Sequence, residues 1–196
     1  PRRNPRTSVE ADFAVELGAD DETLELPWAA ADGGPRYYDL KRQPELLLQV
    51  GEARRTPELA EFLAVMNSPG RILETAKCDT WSSTEINLEE EIFGAAHKFG
   101  SYVDILFSQE TSRCSFAEHE QFAKRITQLL KRVPEIPAAA ELLVRRCFYH
   151  VGGETREGFY ITLYLFGYGD DEAQARQRWA IALKLAENAI CQVLLT

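Results

Sequence analysis

Along residues 158–168 the side chains alternate without a break: Phe159, Ile161, Leu163 and Leu165 at odd positions, Tyr160, Thr162, Tyr164, Phe166 and Tyr168 at even ones. A period of two belongs to a strand, whose successive side chains leave on opposite faces. One face of this strand is therefore aliphatic and the other ring-bearing. Residues 141–150 read as a second strand, and Gly152-Gly153 between the two marks a hairpin.

Elsewhere apolar positions recur at the helical period. Leu59, Phe62, Leu63 and Met66 follow Thr56-Pro57, a capping residue and a first-turn proline. Phe116, Phe122, Ile126, Leu129, Leu130 and Val133 follow a capping-box pattern, Ser115 to Glu118, and end before Pro134 and Pro137. Ala175, Trp179, Leu183, Ala186, Ile190 and Val193 follow Asp170-Asp171, which can cap a last helix.

Residues 71–81 look extended, with Ile72, Ala76 and Cys78 on one side and Leu73, Thr75 and Trp81 on the other, and are expected to pair with residues 101–108. Between them, residues 84–100 place Leu88, Ile92, Phe93 and Ala96 at helical spacing, with Glu85 ahead of them and Glu89-Glu90-Glu91 within, which predicts a short inserted helix. The connection exceeds a hairpin loop, and long connections are where function is commonly sited. Nearer the start, Thr23 to Leu26 alternates as a strand that Pro27 ends, residues 32–35 form a turn, and residues 37–50 suit a short strand and then a partly buried loop or short helix. Residues 1–19 are read as a mobile or draped N-terminal tail, and residues 20–196 as a single domain.

This order predicts an α+β fold: an antiparallel β-sheet with amphipathic helices packed on one face, a strand-strand-helix unit being echoed twice. By topology alone, over roughly the last 140 residues, it resembles the small acidic chaperones of bacterial secretion systems and related interaction domains. That resemblance implies a chaperone-like or adaptor role.

Composition sharpens the picture in three ways. With 45% hydrophobic and 27% charged residues in 196, the chain can bury a core of its own. A net charge of −9, its acidic excess lying in residues 7–120, argues against nucleic acid and anionic membrane as partners. No run of 18 apolar residues suggests a membrane span, and the four widely spaced cysteines are expected to be reduced, so a cytoplasmic location is expected.

The ring-bearing face carries the leading functional expectation. Tyr160, Tyr164, Phe166 and Tyr168, joined by Arg145 from the neighbouring strand, have the composition of interface hot spots, costly as bare surface. They are expected to bind a protein partner or a second copy in a homodimer, unless the tail or residues 37–50 fold across them as a second small core. The rival is a small enzyme or small-ligand-binding protein with a pocket between the 84–100 insert and the sheet, using His97, Glu89 and Cys78. Cys114, His119, Cys147 and His150 have spacings that zinc accepts, but Cys147 and His150 would point to opposite faces of one strand. No metal and no cofactor is expected, and no Ser or Cys stands in a recognisable nucleophile context.

Overall fold

The computed structural model describes residues 9–133 and 136–195. Among these residues six strands form one sheet: β1 (Val9–Glu16), β2 (Thr23–Leu26), β3 (Leu73–Ser83), β4 (His97–Phe107), β5 (Ala138–Val151) and β6 (Glu154–Gly169). The order is β1-β5-β6-β4-β3, with β2 following β1 along the same edge of β5. The pairs β3/β4, β4/β6 and β5/β6 are antiparallel, but β1 and β2 run parallel to β5. The sheet is thus mixed rather than antiparallel, and the α+β class stands.

Of this parallel edge, β2 is the expected strand Thr23 to Leu26, whereas β1 comes from residues read as a tail. Val9, Ala11, Phe13 and Val15 alternate with Glu10, Asp12, Ala14 and Glu16 as a strand requires, and Val9 and Ala11 are buried. The prolines and arginines upstream mask that period in the sequence. Residues 1–8 and Pro134, the expected stop of a helix, lie outside the described residues.

Helices α1 (Gly51–Arg55), α2 (Pro57–Met66), α3 (Glu110–Arg113), α4 (Phe116–Leu130) and α5 (Glu172–Leu194) complete the fold. α4 and α5 cover one face of the sheet, α4 over β1 and β5 and α5 over β6 and β4, while α2 packs on α5 and β3. Their apolar stripes meet Ile161, Leu163 and Leu165 in one core. Each fully buried side chain of that size adds about 1.5–3 kcal/mol of transfer free energy. Trp179 of α5 is fully buried, and its indole N–H donates to Ser101 Oγ at 2.8 Å. No helix among the described residues is long and apolar enough to cross a membrane.

Two of the three expected caps form. Ser115 Oγ accepts the Glu118 N–H at 3.3 Å, and Asp171 Oδ1 accepts the Gln174 N–H at 2.8 Å. Thr56 does not cap α2; its hydroxyl meets that of Thr80 at 3.2 Å and ties the helix start to β3. The inserted helix is only a 3₁₀ turn, Glu90–Phe93, because the flanking strands run on to Ser83 and from His97. Gly94 ends the turn in the left-handed region, at φ 60°.

β3 also differs from its expected facing. Thr75 pairs with Ile105 and Cys78 with Val103, so Ala76 and Lys77 together stand opposite Asp104 in a β-bulge. The bulge reverses the faces beyond it, leaving Cys78 with Leu73 and Thr75 toward the helices and turning Trp81 the other way.

Candidate functional site

The expected ring strip lies on the helix-free face. Residues directly opposite across a pair of strands share a face. The register therefore sets Tyr160 beside Arg145, Thr162 beside Asp104, Tyr164 between Tyr102 and Glu141, Phe166 beside Gly100, and Tyr168 beside Lys98. The alternation read from the sequence sorts these residues as expected, but both ends of the strip are covered by the chain itself.

At one end Leu24, Leu26, Leu106, Cys147, Tyr149 and Tyr160 form a second small core, with Trp28 and Tyr37 packed against it. At the other, Phe93 stacks on Tyr168 with centroids 4.2 Å apart and planes 9° from parallel. Tyr168 Oη donates to Glu90 Oε1 at 3.0 Å, and Lys98 Nζ donates to both Glu90 oxygens at 3.0 and 2.9 Å. Burial pushes the Glu90 carboxyl up, but the Asn87 N–H, Lys98 and Tyr168 outweigh it and hold the group below the usual carboxylate range.

Tyr160 and Tyr168, expected on a docking surface, are therefore interior residues, 0% and 1% exposed. A bare apolar sheet face is unfavourable in water, and residues 23–37 and 90–93 relieve it. Arg145 is buried too. Its Nε donates to Glu16 Oε2 at 2.7 Å and its Nη1 to Glu22 Oε2 at 3.1 Å and Thr162 Oγ1 at 3.3 Å. Burial alone would lower the guanidinium, yet hydrogen bonds to Glu16 and Tyr164 hold it above its ordinary value, so it remains a fixed cation.

Between the covered ends four partly buried rings form a continuous patch. Tyr102 lies 5.8 Å from Tyr164, Tyr164 stacks 6.4 Å from Phe166, and Trp81 meets Phe166 edge-on at 5.9 Å. Gly100 is the floor. A Cβ there would meet the Trp81 ring at 2.8 Å and Phe166 Cδ1 at 3.0 Å, so glycine lets two rings lie on the strand.

The rim of the patch is acidic. Glu10, Asp12, Glu16, Glu141 and Asp79 share this face by register. Burial raises the Glu141 carboxyl, and Glu16 and Asp12 add to it against Arg145. Beneath the rings Asp104 is 3% exposed and accepts the Thr162 hydroxyl at 2.7 Å. Burial pushes its carboxyl up to about 7; Thr162 opposes the rise and Glu22 adds to it.

Sequence reasoning singled out Tyr164 and Phe166 but missed Trp81, Tyr102, Gly100 and Asp104. A glycine inside a strand and an aspartate in the apolar run of residues 102–107 were the available signals.

The residues of the rival pocket are not brought together. Glu89 is exposed beside the 3₁₀ turn, His97 starts β4 opposite Gly169, and Cys78 pairs with Val103, roughly 20 Å further along β4 at about 3.4 Å per residue. Burial, then Glu52 and Asp79, push the Cys78 thiol up to about 12, so it is no nucleophile at neutral pH. Cys114 is exposed, Cys147 lies in the second core, His119 Nδ1 is 2.8 Å from Ser115 O, and His150 pairs with Glu25. Among the described residues no three His, Cys, Asp or Glu side chains gather as a metal site.

Set beside known proteins, the chain matches no family model, no curated protein and no solved structure.

Proposed function

We propose that the protein is a non-enzymatic interaction module that docks a partner chain on the open centre of its outer sheet face. The observation that carries this reading is the patch of Trp81, Tyr102, Tyr164 and Phe166. The chain spends two of its own segments covering the ends of this face and leaves the middle open. Partly exposed aromatic rings beside a buried arginine are the composition from which interface hot spots are built.

The acidic rim favours a partner that brings Lys or Arg around an apolar anchor; a homodimer through this face would bring two such rims together. We also read β3-β4-α4 and β5-β6-α5 as one strand-strand-helix unit used twice, in keeping with an adaptor-like scaffold.

The test is affinity capture with the wild type and a Tyr164→Ala/Phe166→Ala double variant, together with sedimentation of both. Both side chains lie outside the main core, so the variant is expected to keep its circular dichroism spectrum. A protein retained by the wild type and released by the variant supports the reading. A dimer that the variant splits would make the partner a second copy. Identical retained proteins and identical sedimentation would remove the patch as an interface.

A further inference from the structure

A cavity of about 530 Å³ opens at the edge of the sheet beside the β3 bulge. Its size falls within the roughly 300–1,000 Å³ of small-molecule sites, and bulges are common next to such sites. The walls are largely apolar and aromatic, with Trp28, Tyr38, Leu40, Val50, Leu63 and Tyr102 among them.

Four charged side chains join the lining, and they differ in how they are engaged. Glu52 accepts from Arg55 at 3.3 Å, and Asp79 Oδ1 accepts the Thr80 N–H at 2.7 Å. The two cations have no ion pair among the described residues. Lys77 Nζ sits 5.5 Å from the Trp28 ring centroid, and the Arg36 guanidinium 5.7 Å from that of Tyr38.

We propose that this cavity binds a small organic anion with a flat apolar body, of the aromatic carboxylate class. The aromatic walls take the ring, and Lys77 and Arg36 take the carboxylate, in charge-assisted hydrogen bonds stronger than neutral ones. The cavity shares Cys78 with the rival reading and Tyr102 and Asp79 with the docking patch, but its two cations belong to neither.

The probe is 2-naphthoate, titrated calorimetrically into the wild type, Arg36→Met and Lys77→Met, with 2-naphthamide as its uncharged counterpart. Each substitution keeps an apolar stem while removing the charge. Thermal melts confirm that each variant folds. The expected result is saturable one-to-one binding of the naphthoate, weakened roughly tenfold in each variant, and the amide binding the wild type about as weakly. An Ala76→Leu variant, which fills the space, should abolish binding. No saturable binding up to about 10 mM, or equal affinity in wild type and all variants, would overturn the proposal.

Discussion

Asp104 is placed where a carboxylate is hardest to ionise. Among the described residues the Thr162 hydroxyl donates to it, and Glu22 makes ionisation harder still, while Lys77 and Arg145 ease it. The folded-state value of about 7 stands above the ordinary 3.8, so between those pH values the folded protein holds a proton that the unfolded chain has lost. Stability from this group therefore falls as pH rises through that window, and the penalty is complete above pH 7. Asparagine mimics the protonated acid. Asp104→Asn is expected to match the wild type in urea melts near pH 4 and to exceed it near pH 8, by on the order of 1–2 kcal/mol. An equal difference at both pH values would mean that Asp104 is not the titrating group.

At the level of elements, α5 lies on β6 because Gly167 and Gly169 present no side chain to it. A Cβ at Gly167 would run into the Trp179 nitrogen and the Ala175 carbonyl oxygen, both backbone atoms of the helix. Gly167→Ala must push α5 off the sheet and is expected to lower stability by about 3 kcal/mol or more, read from the denaturation midpoint, as overpacking in a tight contact does.

Such contacts explain which parts of the fold were legible in the sequence. The β6 alternation and the Ser115 and Asp171 caps are local signals, each completed within a few residues, and all appear where expected. Thr56 has the same cap chemistry, yet its hydroxyl is taken by Thr80 of a strand that the local sequence does not mention. The β3 bulge adds one residue and reverses a face while leaving extended-looking sequence on both sides. Pairing partners are written nowhere in a strand's own pattern, so the direction of β1 and β2 against β5 was beyond reach. For the ring strip the face was legible, but the segments that cover its ends come from elsewhere in the chain.

For the molecule as a whole, charge and docking are linked. With an acidic rim around the open rings, a basic partner is expected to bind more weakly as ionic strength rises from about 50 to about 500 mM, since the screening length falls well below 10 Å over that range. Self-association through the same face would strengthen instead. Dissociation constants at the two salt concentrations separate these cases by sign alone.

The pairing of β1 with β5 also sets an order of assembly. Glu16 meets Arg145 across 129 positions, and the register from Val9 to Glu16 follows β5 from Ala138 onward. On a ribosome, β1 has nowhere to dock until β5 has been made. Until then its alternating apolar side chains stay solvent-accessible, and closing so long a loop carries an entropic cost that β5 and β6, joined by a tight hairpin, largely escape. The sheet edge that β1 forms is thus completed late.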